Sequence, residues 1–230
     1  GYLVDNQKIN NCSKVTVDNV RRNISSFFSW LEEEDFILKS PMRRIHKIKT
    51  KTVVKEIISD ESIEKLRDGC HEIRDLAMID LLYSTGIRVG ELVKLNIQDI
   101  DFEQRECVVF GKGDKERKVY FDAKAKIHLK KYLEERVDNN PALFVTLDAP
   151  FDRLKISGVE IRLRKLGRSL SLDRIHPHKF RRTMATRAID KGMPIEQVQK
   201  ILGHSQIDTT MQYAIVNQKN VKSSHQKYIA

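Results

Sequence analysis

The segment from residue 175 to residue 213 constrains the fold of this chain most, because turn and helix-ending residues divide it into three short helices. Pro194 suits the first position of a helix, and Gly203 suits the position just past a helix end. A chain organised around this segment is expected to be mainly helical. The predicted helices are 178–191, 194–202 and 206–214.

Upstream of that segment, the sequence predicts further helices and one small sheet. Capping residues and apolar spacing indicate helices at 59–67 and 72–85, and a glycine stop separates the second of them from a helix that begins at Arg88. Two apolar stretches around a Gly-rich turn predict a hairpin with strands at 106–110 and 118–121. The fold class is therefore mainly α with a small antiparallel β-sheet.

Two more helices and a strand are predicted around the hairpin. Asp122 is expected to cap a helix that continues to residue 137. A short strand is predicted at 143–146 after an Asn-Asn-Pro turn, and Ser157 is expected to cap a strongly basic helix. The inward-facing residues of the first helix are predicted to be Ile127, Leu133 and Val137.

The N-terminal part contains a helix with an aromatic stripe. Asp18 is expected to cap this helix, and Phe27, Phe28 and Trp30 are predicted to pack in a core. Acidic residues stand at its C-terminal end, where the helix dipole disfavours negative charge. That end is therefore predicted to be frayed or bent.

Residues 43–55 alternate basic and apolar side chains without an acid. This pattern fits a solvated linker, and it equally fits a linker lying along a phosphate backbone, where each lysine releases counterions. The domain boundary is placed near Lys49. The predicted domains are residues 1–49, a helical part with its linker, and residues 50–230.

Net charge limits the classes of partner. The chain has 230 residues and a formal net charge of +10, which points first to nucleic acid and second to an acidic membrane surface. Cys12, Cys70 and Cys107 are odd in number and widely spaced, a pattern that favours reduced thiols in a cytoplasmic protein over disulfides or a zinc site. No apolar run in the sequence is long enough to cross a bilayer.

His178 and Arg181 lie three residues apart at the start of a predicted helix, so they share one face of its first turn. A helix N-terminus favours an anion through its free amides and dipole, and a planar guanidinium adds bidentate capture of two phosphate oxygens. Histidine can move a proton near neutral pH. A histidine that caps the helix beside a surface arginine is the ordinary structural alternative.

Other side chains also suit phosphate chemistry. Arg88 follows a glycine stop at a helix start, and Glu91 can orient its guanidinium. Lys112 lies between two glycines in the hairpin turn, where an ammonium can protonate a leaving alkoxide. His204 precedes Tyr213, whose hydroxyl has an ordinary pKa of about 10 and needs a base or cations before it attacks phosphorus. Taken singly, Lys112 also fits an exposed turn lysine and Tyr213 a core tyrosine.

Taken jointly, these residues resemble the tyrosine recombinase family, the phage-type integrases and Xer-like recombinases. They occur in the family's order and span more than half of the chain. The resemblance implies a tyrosine recombinase catalytic fold, preceded by part of a helical core-binding domain. The motifs that carry it are TGIRVGEL (85–92), GKGDKER (111–117), HKFRRTMAT (178–186) and LGHSQIDTTMQY (202–213).

The resemblance implies a role for each matched position. Tyr213 matches the nucleophile, which joins covalently to a 3′ phosphate. Arg88 and Arg181 match the pair that clamps the non-bridging oxygens. His178 and His204 match the positions that hydrogen-bond the phosphate and assist proton transfer.

Lys112 matches the hairpin lysine thought to protonate the 5′-hydroxyl leaving group, so all six family positions are filled. The implied activity is site-specific cutting and rejoining of DNA, with no metal, ATP or other cofactor. Arg182 is a departure, since many relatives carry a histidine there, and little effect on the chemistry is expected. Two alternatives stay open: relaxation of DNA by a type IB topoisomerase-like enzyme, and a catalytically idle DNA-binding module.

The implied partner is double-stranded DNA, bound by a homo-tetramer on paired sites with accessory DNA-bending or excision proteins and without a membrane. Residues 27–45 resemble the last part of the family's core-binding domain, so the parent protein is expected to be longer and to bind DNA more tightly. The candidate DNA-contact residues are Arg43, Arg44, Lys47, Lys49, Arg162, Arg164, Lys165 and Arg168.

Overall fold

The computed structural model describes residues 11–48, 56–111, 116–172, 174–204, 207–211 and 213. It divides the chain into two compact units, Gly1–Val54 and Lys55–Ala230. The predicted class, mainly α with a small antiparallel β-sheet, is confirmed. Among the described helices, none combines the length and the apolar character that spanning a membrane requires.

The first unit is built on one long helix, α1 (Lys14–Glu33), which Ser13 caps by accepting from the amide three residues on. The predicted cap, Asp18, is wrong, because this residue lies inside the helix. Its carboxylate accepts from Arg21 Nε at 2.8 Å and from the Ile48 amide at 3.0 Å. An aspartate whose partners are a later helix residue and a distant amide has the same appearance in a sequence as an N-cap.

The C-terminal end of α1 is tied to a 3-10 turn at Pro41–Arg44. Glu32 accepts from the Ser40 amide at 3.2 Å and forms an ion pair with Arg43. These contacts offset the unfavourable interaction of an acidic side chain with the helix dipole. The helix therefore stays regular through Glu33, and the predicted fraying is wrong.

The aromatic side chains of α1 do not form a core. Phe27 is 55% exposed and Trp30 is 48% exposed. Their rings lie 6.2 Å apart between centroids, and Phe36 lies 5.8 Å from Trp30. Within residues 11–48, α1 is the one long helix, so no second helix of this stretch covers the aromatic face and the predicted core packing is wrong.

The second unit begins with α2 (Asp60–Asp68) and α3 (Ile73–Thr85), close to the predicted positions. Nine of the thirteen residues of α3 are buried, which makes it the central helix of this unit's core. Gly86, with φ of +61°, ends α3 as predicted. The next helix, α4 (Val89–Leu92), is a single turn, and Arg88, its predicted first residue, is its N-cap.

The sheet has three antiparallel strands, β1 (Ile100–Asp101), β2 (Glu106–Phe110) and β3 (Glu116–Tyr120), in that order. The predicted hairpin is formed by β2 and β3. The first strand is too short to show a period of two, so sequence patterning missed it. The strand predicted at 143–146 is wrong, since this stretch makes one isolated bridge, Val145 with Arg153.

Helix α5 (Ala123–Glu134) follows its predicted cap, Asp122, which accepts from the Ala125 amide at 2.9 Å. The buried face carries Ala125, Leu129 and Tyr132, at the spacing of one helical stripe. The predicted inward positions Ile127 and Val137 are wrong, since their side chains are 61% and 84% exposed. Leu133 is half-buried and packs against the core.

Four helices complete the described chain: α6 (Ile156–Ser169), α7 (Pro177–Asp190), α8 (Ile195–Leu202) and α9 (Ile207–Met211). The N-cap of α6 is Lys155 and not Ser157, and Pro194 is the N-cap of α8 and not its first residue. Phe180 of α7 is fully buried in the main core. A separate small cluster joins α7 to α8 through Ala185, Val198 and Leu202.

Candidate active site

The guanidinium of Arg88 is held by the start of its own helix. Arg88 is the N-cap of α4; its amide donates to Glu91 Oε2 at 2.8 Å and its Nη1 to Glu91 Oε1 at 3.0 Å. The predicted contact with Glu91 is therefore present. The Glu91 side chain is 5% exposed and that of Arg88 is 36% exposed, so a buried carboxylate orients an arginine that solvent and ligands can reach.

Arg181 connects the ends of two helices. It lies near the start of α7, and only 3% of it is exposed. Its Nη1 donates to the carbonyl of Gly86 at 2.8 Å and its Nη2 to the carbonyl of Leu202 at 2.6 Å. The same Nη2 lies 3.0 Å from His204 Nε2. Arg181 therefore ties the end of α3 to the end of α8 and touches His204.

Three arginines donate hydrogen bonds to the last carbonyl groups of α8. Terminal carbonyls of a helix lack intrahelical partners and carry the negative end of its dipole, so cationic donors are favoured there. Gly203, with φ of +65°, turns the chain out of the helix. The donor–acceptor pairs are Arg117 Nε with Ile201 at 2.8 Å, Arg181 Nη2 with Leu202 at 2.6 Å and Arg88 Nη2 with Gly203 at 3.3 Å.

Thr210, a fully buried residue of α9, positions both His204 and Tyr213. His204 Nδ1 lies 2.8 Å from Thr210 Oγ1, and the Tyr213 amide donates to the Thr210 carbonyl at 2.9 Å. The rings of His204 and Tyr213 stack with centroids 6.1 Å apart. Tyr213 also packs against the small cluster between α7 and α8.

Arg117 is a part of this site that the sequence interpretation missed. Its Nη1 and Nη2 donate to the two oxygens of Glu91, each at 2.7 Å. The residue stands on β3, two positions before the buried Val119, so both side chains face inward. An arginine at an inward strand position within the GKGDKER motif is the signal that identifies it.

His204 is neutral at neutral pH. Burial, assisted by the charges of Arg181 and Arg88, lowers the pKa of its imidazole to about 4. Because a guanidinium can only donate, His204 Nε2 accepts from Arg181 and Nδ1 carries the proton that is donated to Thr210. Desolvation and the charges of Arg181 and Arg88 also lower the pKa of His178, which is exposed near the start of α7.

Arg88, Arg117 and Arg181, here called the arginine cluster, keep an excess of positive charge over Glu91. Burial and the neighbouring Arg88 lower the pKa of Arg181 to about 10, so it stays charged at neutral pH. Burial opposes ionisation of Glu91, but hydrogen bonds from Arg117 and the Arg88 amide outweigh it, and the pKa of Glu91 lies below its ordinary value. The cluster therefore holds three guanidinium groups and one carboxylate, an arrangement that attracts an anion.

Lys112 lies outside the described residues. The strands β2 and β3 before and after it are described, and Phe110 pairs with Glu116 at the end of their paired region. Since Arg117 follows Glu116 directly, that end of the hairpin adjoins the arginine cluster. Arg182, the position that departs from the family pattern, donates to the Glu56 carbonyl at 2.8 Å.

The candidate DNA-contact residues of the second unit lie on α6. Arg162 forms an ion pair with Asp75, which anchors it to α3. Arg164, Lys165 and Arg168 are exposed. They therefore form a basic face on α6, opposite a buried face that includes Val159, Leu163 and Gly167.

In the first unit, Arg43 is held by its ion pair with Glu32. Arg44 and Lys47 are exposed. Lys49 lies outside the described residues. Of the four predicted contact residues in this unit, two therefore present charges that are open to solvent, and a third is exposed but shared with an acid.

Comparison with known proteins identifies the family. Residues 49–220 match the model of the phage integrase family. The chain is 34% identical over 225 residues to a tyrosine recombinase XerC of Oceanobacillus iheyensis, covering 91% of this chain and 73% of the relative. It is 36% identical over 214 residues to a tyrosine recombinase XerC of Leptospira interrogans, covering 89% and 69% of the two chains.

Solved structures share the fold. A Tn1549 transposon integrase in complex with transposon right end DNA superposes with a TM-score of 0.78 at 20% identity, covering 97% of this chain and 82% of that chain. The XerH site-specific recombinase bound to a palindromic difH substrate gives 0.77 at 20% identity, with coverage of 96% and 69%. The chain belongs to the phage integrase family of tyrosine recombinases and is a tyrosine-type DNA strand transferase.

Proposed function

We propose that this enzyme cuts a DNA strand by attack of the Tyr213 hydroxyl on a phosphodiester and reseals it by the reverse step, without metal or ATP. In cleavage, the bond from the tyrosine oxygen to phosphorus forms and the bond from phosphorus to the 5′ oxygen breaks. The products are a covalent 3′-phosphotyrosine and a free 5′-hydroxyl. Because the phosphotyrosine conserves the energy of the broken bond, resealing needs no ATP.

The observation that carries this proposal is the convergence of Arg88, Arg181 and His204 beside Tyr213. The two arginines donate to neighbouring carbonyl groups at the end of α8. His204 lies 3.0 Å from Arg181 and stacks on the Tyr213 ring. A phosphate that engages both guanidinium groups is therefore adjacent to the proposed nucleophile.

The charge of this cluster suits the transition state. Attack on phosphorus produces a five-coordinate dianion, and preorganised cations stabilise such charge where it develops. Planar guanidinium groups can each bind two phosphate oxygens. Loss of one preorganised donor from an enzyme site of this kind raises the barrier by about 3–4 kcal/mol.

Proton transfer is assigned from the family resemblance together with the state of the histidines. His178 and His204 both have lowered pKa values, so they are neutral at neutral pH and able to accept a proton. We assign to them phosphate hydrogen bonding and assistance in removing the Tyr213 proton. Because His204 Nε2 accepts from Arg181 and Nδ1 donates to Thr210 in this structure, His204 takes up this role when Arg181 turns from it to the phosphate. Lys112 is assigned to protonate the 5′ oxygen as it leaves.

Double-stranded DNA is the proposed partner. The net charge of +10 and the exposed basic face of α6 support this choice, and the similar Tn1549 integrase and XerH structures contain DNA. Residues 1–49 are proposed as the end of a core-binding domain. A homo-tetramer on paired sites, aided by accessory DNA-bending or excision proteins, is the proposed assembly.

Covalent capture tests the nucleophile. A pool of duplexes with a randomised core and a nick beside it is incubated with the protein, because a short fragment released at the nick diffuses away and traps the adduct. Tyr213→Phe is expected to abolish the adduct and retain DNA binding. Tyr120→Phe is the matched control, since Tyr120 is an exposed residue of β3 and its loss leaves the adduct intact. An adduct formed by Tyr213→Phe refutes the assignment.

Plasmid assays separate recombination from its alternatives. Sequencing the captured DNA supplies a cleavage site, which is then placed once or twice in a supercoiled plasmid. Recombinant product from the paired-site plasmid is expected. Relaxation of both plasmids without recombinant product supports a type IB topoisomerase-like enzyme, and the absence of any adduct with intact Tyr213 supports an idle DNA-binding module.

A further inference from the structure

Arg117 has the contacts of a residue that positions other groups. Its Nη1 and Nη2 each donate to Glu91 at 2.7 Å, and its Nε donates to the Ile201 carbonyl at 2.8 Å. Its side chain is only 11% exposed. With all three of its nitrogens engaged by the protein, this guanidinium is a poor candidate for a phosphate ligand.

Glu91 divides its carboxylate between Arg117 and Arg88. Oε1 accepts from Arg117 Nη1 at 2.7 Å and from Arg88 Nη1 at 3.0 Å. Oε2 accepts from Arg117 Nη2 at 2.7 Å and from the Arg88 amide at 2.8 Å. A carboxylate has about four acceptor sites, so these four bonds fill it, and any shift of Arg117 changes the oxygens that hold Arg88.

Arg117 is also wedged against the turn that follows α8. A Cβ built on Gly203 would lie 2.9 Å from Arg117 Cδ and 3.0 Å from its Nε. The guanidinium therefore lies directly on the backbone that leads into His204. One side chain thus contacts both the carboxylate that orients Arg88 and the segment that carries His204.

We propose that Arg117 is a positioning residue for DNA cleavage: through Glu91 it fixes the guanidinium of Arg88, and through Ile201 it fixes the end of α8. This inference deepens the proposed function and rests on cleavage by Tyr213. Arg117 needs no contact with DNA in this role. Its loss lowers the rate of the chemical step and leaves DNA affinity nearly unchanged.

The test uses Arg117→Lys in the full chain and the duplex selected by covalent capture. Single-turnover adduct formation is measured at saturating DNA, with DNA affinity from fluorescence anisotropy and stability from thermal unfolding. A lysine keeps the charge but cannot bridge two carboxylate oxygens and a carbonyl at once. The expected fall in rate is about 100-fold, the order that an ångström of misplacement costs, with the dissociation constant within about twofold of wild type.

Arg136→Lys is the matched control. Arg136 is 6% exposed in its side chain, pairs with Asp138, and donates to the carbonyls of Asn140 and Ala142 at 2.8 and 2.7 Å. Like Arg117, Arg136 binds one carboxylate and main-chain carbonyl groups. None of these contacts involves the arginine cluster. Arg136→Lys is expected to lose comparable thermal stability and to cleave at the wild-type rate. An equal loss of cleavage in both variants overturns the proposal, because the effect is then one of stability.

Two further measurements identify the group through which Arg117 acts. The double variant Arg117→Lys with Glu91→Gln is expected to cleave no more slowly than the slower single variant. Each change breaks the same connection, the one between Arg117 and Glu91. A duplex with sulfur in place of the bridging 5′ oxygen releases a thiolate, which leaves without protonation. If Arg117→Lys cleaves this duplex at the wild-type rate, the proposal is overturned, because the defect then lies in leaving-group protonation by Lys112.

Failure of this inference is distinct from failure of the proposed function. If the wild-type protein forms no adduct, cleavage by Tyr213 is wrong and Arg117 has no such reaction to support. If the wild-type protein forms the adduct and Arg117→Lys forms it at the same rate, cleavage stands and only the role of Arg117 is wrong.

Discussion

Replacing Gly203 with alanine is expected to damage the candidate site more than the cost of backbone strain alone. Gly203 has φ of +65°, and a left-handed backbone costs a residue with a side chain roughly 1–2 kcal/mol. The new methyl group also meets Arg117, with Cδ, Nε and Cζ at 2.9, 3.0 and 3.2 Å. Arg117 cannot yield easily, because Glu91 and the Ile201 carbonyl hold its three nitrogens.

The total follows from adding the two effects. Displacing Arg117 breaks at least one charge-assisted hydrogen bond, which is worth roughly 1.5–3 kcal/mol. Gly203→Ala is therefore expected to lower the free energy of unfolding by about 2.5–5 kcal/mol. The matched control is Gly192→Ala, where φ is +93° and no atom of the described residues lies within 4 Å of the added Cβ. In that variant, backbone strain alone should lower the free energy of unfolding, by about 1–2 kcal/mol.

Thermal unfolding and adduct formation measure the two consequences. In a domain of this size 1 kcal/mol shifts the melting temperature by about 2–4 °C, so Gly203→Ala should melt about 3–12 °C below Gly192→Ala. Its cleavage rate at saturating DNA should fall, while Gly192→Ala should cleave like wild type. The reasoning is refuted if Gly203→Ala melts together with the control and cleaves at the wild-type rate.

Three other changes have defined outcomes. Arg88→Lys should lower cleavage about 100- to 1000-fold with little change in DNA affinity, because an ammonium cannot grip two phosphate oxygens; wild-type cleavage contradicts its role. Folding lowers the pKa of His204 from 6.5 to about 4, so the unfolded chain binds more protons in this window. The free energy of unfolding should therefore rise with pH across it and level off above it, with a smaller slope for His204→Gln in urea melts. Leu129→Ala should lower the free energy of unfolding by about 2–5 kcal/mol because Leu129 is fully buried. Ile127→Ala should change it by less than about 0.5 kcal/mol. Equal effects of the two changes would contradict the face of α5 described above.

Much of the fold could be predicted because local chemistry decides it. Gly86 and Gly203 end their helices in left-handed conformations, as their positions in the sequence indicate. The hairpin and the helices around it follow from apolar spacing over a few residues. The errors occur where a distant partner decides the outcome. Asp18 resembles an N-cap but is held by Arg21 and the Ile48 amide inside α1.

The face of α5 shows a second source of error. Ile127 is a larger aliphatic side chain than Ala125, yet Ala125 and Leu129 are the residues that pack against the core. Hydrophobicity of single residues suggested one face, and the i, i+4 spacing of the buried residues supports another. The face is settled by contact with α3, which the sequence of α5 alone does not contain.

The candidate site also has a part that the sequence predicts and a part that it does not. The ordered motifs predict Arg88, Arg181, His204 and Tyr213, and the fold brings these four together from three separate segments. Arg117 was missed because its importance depends on β3 lying beside α4 and the end of α8. Its inward strand position within the GKGDKER motif marks it as a candidate, but its role depends on partners from two other elements, which no local pattern specifies.

The use of main-chain acceptors at the end of α8 has a consequence for mutational tolerance. Arg117, Arg181 and Arg88 bind the carbonyl oxygens of residues 201, 202 and 203, and every amino acid supplies the same carbonyl. Side chains at 201 and 202 can therefore change as packing allows without removing an acceptor from the arginines. Variation that rotates this backbone is the kind that the arrangement excludes, so sequence drift here is limited by conformation and not by side-chain chemistry.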